Sequence, residues 1–371
     1  MIVQALPPRE DIAPPTRVGL IGCGYWGANY VRVLSELVDC ELAYVCDQRV
    51  ARLRELARRC GDALLATDAA DVIDAEEVDA VVIATEVHTH YELVRRALLA
   101  GKHVLVEKPL STSATTAGRL IALAEERQRI LFVAHTFLYN AAVRKVKELV
   151  VNRELGRPYY LYSQRTNLGP IRRDVNALWD LAPHDIAIFN YILDAKPDWA
   201  SAVGARVLRN EREDVGFISL GYPEGIIGHI HVSWTDPNKV REVVVVGSDK
   251  RVVFNDLDAV ERVRVFDKGV KVAVLDEPLS FGEYQLLVRD GDITSPALTA
   301  VTEPLKLECG HFLHCVRRGD PVFTDGKQGR DVVVVMEAIA ASMKRRGAPV
   351  DIRWTTRKRE ARRVVAHGSA R

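Results

Sequence analysis

Between Arg17 and about Phe137 the chain alternates short apolar runs with longer segments in which apolar residues recur every three or four positions. RVGLIG, ELAYVCD, AVVIATE, HVLVEKP and ILFVAHT are the runs, and VARLRELARRCG typifies what separates them. Strand-length runs joined by helix-length segments mean crossover units, hence a parallel sheet with helices on both faces. A helix follows from Ala141, through AAVRKVKELVVNREL, and Gly156 ends it. The period then changes. From Pro158 to about Asp276, YYLYSQRT, ASAVGARVL, GFISLGY, IIGHIHVSW, REVVVVGS, RVVFND, RVRVFD and VKVAVLD read as strands, with PEG at Pro223–Gly225 and GSDK at Gly247–Lys250 as hairpin connections. One helix, Ala177 to Leu193, interrupts them, and two amphipathic helices, LKLECGHFLHCVRRGD and GRDVVVVMEAIAASMKR, close the pattern.

The expected fold class is therefore α/β: a doubly wound Rossmann domain over residues 17–137, then an α+β domain over 138–354 with a large, mainly antiparallel open sheet. Residues 1–16 form an N-terminal tail, and 355–371, with Arg357, Lys358, Arg359, Arg362 and Arg363, a basic C-terminal tail. The 371 residues suit about two domains of roughly 150 each. Lys plus Arg number 51 against 50 for Asp plus Glu, a formal charge of +1, with 48% apolar and 27% charged residues. That balance argues against a general nucleic-acid binder or a disordered chain. The start MIVQALPPREDIAPPT lacks signal-peptide architecture and the apolar runs are too short for a bilayer, so the expectation is a cytoplasmic protein with no membrane partner. Six cysteines form no CxxC pair and read as reduced thiols.

VGLIGCGYWG places Gly22, Gly24 and Gly27 in the spacing GxGxxG between a strand and a helix, with Tyr25 and Trp26 in the variable positions. Such glycines permit a tight turn and close backbone approach to a pyrophosphate at a helix N-terminus. Asp47 ends the second run twenty residues after Gly27, the place of a carboxylate that binds the adenosine ribose hydroxyls. This favours NAD; Arg49, able to pair with a 2′-phosphate, keeps NADP open. A glycine turn used only for packing is the bland alternative.

HVLVEKPL puts Glu107, Lys108 and Pro109 at the C-terminal end of a buried parallel strand, where open α/β sheets bind ligands. Asp180 and His184, four apart in a helical segment, share one face. With EKP at this point, VDAVVIATEVHTHYELVRRALLAGKHVLVEKPL before it, and HTFLYNAAV and LWDLAPHDI after it, the chain resembles the Gfo/Idh/MocA family of sugar and polyol dehydrogenases from Arg17 to about Lys344. Two departures are Glu86, where the family commonly has proline, and the missing glycine-rich run before the aspartate and histidine.

The resemblance places the Asp180/His184 helix beside the nicotinamide and opposite Lys108. Oxidising a secondary alcohol needs a base for the hydroxyl proton, a role that suits His184. Lys108 would stabilise the developing alkoxide and Asp180 orient substrate or imidazole. Thr85 and His90 would line the nicotinamide pocket, and Tyr139 and Asn140 match positions of substrate contact. The segment SQRTNLGPIRRDVNALWD, leading into that helix, offers Arg165, Asn167, Arg172 and Arg173. Guanidinium groups match phosphate, which favours a nucleotide-activated sugar such as UDP-N-acetylglucosamine, oxidised at C3 by resemblance, over an inositol or free sugar. Pairing of these arginines with acids such as Asp174 is the competing reading. A catalytically silent dinucleotide-binding regulator is the alternative from another class. Cys309, His311, His314 and Cys315 suggest a metal at first sight, but only three share a helix face, so the expectation is seam packing and no metal. The apolar excess of IIGHIHVSW and REVVVVGS predicts a homodimer or homotetramer built on the sheet.

Overall fold

The computed structural model describes residues 14–208, 211–270, 288–298 and 302–354. Residues 1–13 of the N-terminal tail, the whole C-terminal tail, and all of the VKVAVLD run except Val270 lie outside them, and Thr16, placed in the tail by the sequence, is the first residue of a strand. The first sheet comprises β1 (Thr16–Ile21), β2 (Cys40–Cys46), β3 (Leu64–Ala66), β4 (Ala80–Ile83), β5 (His103–Glu107) and β6 (Leu131–Ala134). They run parallel in the order β3-β2-β1-β4-β5-β6. β1, β4, β5 and β6 are buried along almost their whole length, as helices on both faces require. The order reverses between β1 and β4, which opens a crevice at the carboxyl ends of those strands.

The second sheet begins with β7 (Pro158–Leu168), β8 (Trp199–Ala205), β9 (Val215–Gly221), β10 (Ile227–Ser233) and β11 (Thr235–Gly247). It continues with β12 (Arg251–Asn255), β13 (Val263–Val270), β14 (Val288–Thr294) and β15 (Val350–Asp351). Its order is β14-β13-β12-β11-β7-β10-β9-β8-β15, and β7 with β10 is the parallel pair among antiparallel neighbours. Leu161, Ser163 and Arg165 alternate on the face of β7 turned to the helices, while Tyr160, Tyr162 and Gln164 alternate on the other. The helix Ala177–Leu193 packs on the inner face through Ile186, Phe189 and Ile192, with Asn176 capping it by accepting from the Trp179 N–H.

The helix Pro304–Arg318 crosses back to the first half. Its Leu305, Cys309, Phe312 and Leu313 share a core with Leu20, Tyr30 and Phe132, and Phe132 meets Phe312 edge-to-face at 5.6 Å. The helix Gly326–Lys344 packs on β8 and on the helix Ala114–Glu126, so it too bridges the halves. Among the described residues no helix is long and apolar enough to cross a membrane.

Candidate active site

The crevice of the first sheet and the inner end of the second enclose a cavity of about 1300 Å³. Its floor is the glycine turn. Gly22 has φ +97°, the left-handed region that favours glycine, and a Cβ there would come within 2.6 Å of the Ala84 carbonyl oxygen. Gly27 starts the helix Gly27–Glu36, and a Cβ would lie 2.0 Å from the Gly22 carbonyl oxygen. At Gly24 a Cβ meets only open cavity, the clearance a pyrophosphate needs against backbone N–H groups. Trp26 offers no side-chain cap, so the helix N-terminus is left to a ligand, and Tyr25 and Trp26 line the same wall. These features fit a bound dinucleotide.

Asp47 lies at the end of β2. Its carboxylate accepts from the Cys23 and Arg49 backbone N–H groups at 2.9 Å, and from Arg49 Nε at 3.0 Å and a terminal guanidinium nitrogen at 3.1 Å. Burial alone would raise this carboxyl, but those bonds hold it below its ordinary value. Asp47 and Arg49, rivals in the sequence, are therefore partners in the fold.

β5 delivers Glu107, Lys108 and Pro109. Glu107 is buried, accepts from Tyr30 Oη at 2.9 Å and from the Lys108 N–H, and burial pushes its carboxyl up. Lys108 Nζ crosses the cleft to the Asp180 carbonyl oxygen at 2.7 Å and stands 3.7 Å from Asp180 Oδ1. Burial lowers its pKa against the opposing pull of Asp180 and Glu107. Asp180 Oδ1 also meets Arg172 at 3.3 Å, and Oδ2 accepts from Trp234 Nε1 at 3.2 Å. His184 lies one turn on, edge-on to Phe137 with ring centroids 5.0 Å apart, and its Nδ1 is buried with no hydrogen-bond partner among the described residues. Burial, then the charges of Lys108 and Arg165, push its pKa well below the usual histidine range.

His90 is buried with Nδ1 2.9 Å from the Pro109 carbonyl and Nε2 3.2 Å from that of Thr85, and burial lowers its pKa to about 4. A neutral ring there donates to one carbonyl at a time and ties the Thr85 loop to the EKP strand. Glu86 adopts φ −71° and ψ 142°, a backbone that proline shares, so the loop keeps its shape without one.

The remaining expectations divide. Asn140 lines the cavity, yet its Oδ1 caps the helix Ala141–Val151 and its Nδ2 donates to Asp256. Asn167 lines the cavity, and its Oδ1 is buried with no hydrogen-bond partner among the described residues. Tyr139 does not reach the cavity: its side chain is buried in the first core and its Oη meets His311 Nδ1 at 2.8 Å. A 3-10 turn over Thr136–Tyr139 aims it there rather than at the cleft. Arg165 lies on β7, within the run YYLYSQRT read as a strand, and the strand continues through Asn167. Arg165 gives Nε and a terminal nitrogen to the two Asp185 oxygens at 2.9 Å, and Arg172 chelates Asp174. Arg173 is exposed and is not among the lining residues. Asp256 and Arg241, which line the cavity, and Trp234, which donates to Asp180, reach the site unannounced, because the turn after β12, β11 and the junction between β10 and β11 supply them from 50 to 80 residues farther along the chain than Asp180.

Two family models match. The model of the oxidoreductase family with an NAD-binding Rossmann fold covers residues 16–135, and the GFO/IDH/MocA C-terminal domain covers residues 143–253. A myo-inositol 2-dehydrogenase from Thermotoga maritima is 27% identical over 344 residues, 88% of this chain and 96% of the relative. A UDP-N-acetylglucosamine 3-dehydrogenase from Acidithiobacillus ferrooxidans is 27% identical over 325 residues, 85% and 94% of the two chains. Among solved structures, a putative oxidoreductase from Magnetospirillum magnetotacticum superposes with a TM-score of 0.73 at 28% identity, covering 87% of this chain and 99% of that one. With both models on one chain, and the glycine turn, the strand-end lysine and the aspartate–histidine helix around one cavity, the protein belongs to the Gfo/Idh/MocA oxidoreductases, a family of sugar and cyclitol dehydrogenases, and binds NAD.

Proposed function

We propose that this protein oxidises a secondary ring hydroxyl of a polyol or sugar. The observation that carries this reading is the convergence of Lys108, Asp180 and His184 on the cavity that holds the dinucleotide turn. NAD, when bound, supplies the hydride acceptor at its nicotinamide C4. Lys108 Nζ keeps one N–H on the Asp180 carbonyl and directs another at the substrate oxygen, where it stabilises developing negative charge. His184, neutral and unpartnered at Nδ1, accepts the hydroxyl proton. Asp180, held by Trp234 and Arg172, fixes Lys108 from the far wall of the cleft.

The charges around the substrate end are already paired: Arg165 with Asp185, Arg172 with Asp174 and Asp180, Arg241 with Asp256, and Lys108 with Asp180. A doubly charged diphosphate would have to displace those carboxylates, whereas an uncharged ring polyol needs only hydroxyl partners such as Asn167 and His184. The pairing thus favours an inositol-like or free-sugar substrate over the nucleotide sugar that the arginine count suggests. Arg173, exposed on the same loop, favours the nucleotide sugar as the second reading.

Cofactor choice follows from Asp47. With its oxygens tied to Arg49 and Cys23, a low carboxyl pKa keeps it ionised, and an ionised carboxylate repels a 2′-phosphate. Self-association follows from the outward face of the second sheet, where Tyr160, Val203, Phe217 and Ile227 are each at least 40% exposed. These side chains stand on one face, since β10 pairs Ile227 with Tyr160 and His231 with Phe217, and β8 pairs Val203 with Phe217. A second copy covering that face gives a homodimer, or a homotetramer when a further contact is added.

Four outcomes are expected. Titration of tryptophan fluorescence will give tighter binding of NAD than of NADP, and the reverse order would make Arg49 the selector. Lys108→Ala and His184→Ala will each lose about 10²-fold or more in turnover while still binding NAD, as stopped-flow and cofactor titration can establish. Steady-state kinetics will give a higher kcat/KM for myo- and scyllo-inositol or free hexoses than for UDP-N-acetylglucosamine; the opposite ranking, lost in Arg173→Ala, would restore the nucleotide sugar. Light scattering at micromolar concentration will return a dimer or tetramer, and a monomer would reject the sheet contact.

A further inference from the structure

Arg165 is the most deeply placed cation of the cleft, and neither the family models nor the proposed chemistry gives it a task. Its side chain is 7% exposed and that of Asp185 1%, so the pair sits in a dry wall between β7 and the helix Ala177–Leu193. Asp185 takes two of its N–H groups at 2.9 Å each, which fixes the plane of the guanidinium. The carbon of that plane lies 4.4 Å from the ring centroid of Phe137. Phe137 in turn meets the imidazole of His184 at 5.0 Å with the rings 67° apart. Asp185 is also the residue next to His184 on the same helix, so the contacts close a loop: His184 to Asp185 through the backbone, Asp185 to Arg165, Arg165 to Phe137, and Phe137 back to the imidazole.

We propose that Arg165 is a positioning residue: clamped by Asp185 and stacked on Phe137, it fixes the ring plane of His184. This inference rests on the proposed role of His184 as proton acceptor. A histidine whose Nδ1 has no partner has no hydrogen bond at that atom to set its χ angles, so packing must orient it. The flat guanidinium is suited to this, because a lysine ammonium carries the same charge without the planar surface or the fork. The charge acts as well. Among the described residues the groups that act on His184 are Lys108 at the end of β5, His135 after β6, Arg165 on β7 and Arg241 on β11, while Asp180 and Asp185 lie on its own helix, turned to Lys108 and Arg165. After burial, Lys108 and Arg165 are the strongest influences, and both oppose a second cation.

The test uses full-length protein with 15N-labelled histidine, the His184 signal assigned by its loss in His184→Gln. In substrate-free wild type, His184 stays neutral well below the ordinary histidine range. Arg165→Gln removes the charge, so His184 titrates at higher pH, and the acid limb of kcat/KM for polyol oxidation moves up with it. Arg165→Lys keeps the charge and a partner for Asp185; the titration stays in place while kcat falls between about tenfold and about a hundredfold with KM little changed. Phe137→Leu, which keeps an apolar side chain, lowers kcat in the same way.

A direct substrate contact would instead raise KM and leave the substrate-free titration unmoved in Arg165→Gln, and that result overturns the proposal. Wild-type kcat in both Arg165→Lys and Phe137→Leu also overturns it. If Arg165→Gln does not fold, because Asp185 is left buried and unpaired, these two variants decide. Should the wild type oxidise no polyol, the proposed function fails, while the histidine spectra still report whether Arg165 governs His184.

Discussion

A buried ammonium organises this molecule. Lys108 leaves the end of β5 with its side chain buried in the cleft, and a charge taken out of water must find acceptors. The acceptors come from the other half of the chain: the Asp180 carbonyl and, farther off, the Asp180 carboxylate. The helix Ala177–Leu193 must therefore cross the cleft with Asp180 toward β5, and one turn later His184 falls against Phe137. Asp180, now itself enclosed, needs donors in turn, and Trp234 and Arg172 supply them. Pro183 removes one backbone donor from this helix, at the turn where the lysine takes a carbonyl.

The sequence was legible where a local pattern and a local geometry coincide. Gly22, Gly24 and Gly27 need no distant residue to make their turn, and the structure has a close contact or an open space at each. The helix Ala177–Leu193 begins and ends where its apolar period does. Strands too short or too polar for a period escaped notice: Leu64–Ala66 has three residues, Val350–Asp351 two, and Val288–Thr294 is polar along much of its length.

The site was less legible because its meaning lies in pairing across distance. Arg165 and Arg172 counted as donors for a phosphate until the fold gave them Asp185 and Asp174. For Arg165 the clue was present, since the alternation Leu161, Ser163, Arg165 already puts it on the helix-facing side of β7. Nothing near Tyr139 announced His311, which arrives 172 positions later on another helix. In the sequence Phe137 marks only the end of the first domain, and it is the Arg165 guanidinium over its ring and the edge contact of His184 that give it a place in the cleft.

The return of the helix Pro304–Arg318 has a consequence for biosynthesis. Leu305, Cys309, Phe312 and Leu313 cover apolar side chains of the first sheet and its first helix, yet they leave the ribosome about 180 residues after β6. At synthesis rates of roughly 5–20 residues per second, the nucleotide-binding half emerges with an uncovered apolar groove for roughly 10–40 s. During that interval it is a natural client for a chaperone, and a gene fragment ending after β6 encodes an incomplete core rather than a separable module. The two halves are thus not interchangeable cassettes: recombination that swaps the second half must also supply a helix shaped to the groove of the first.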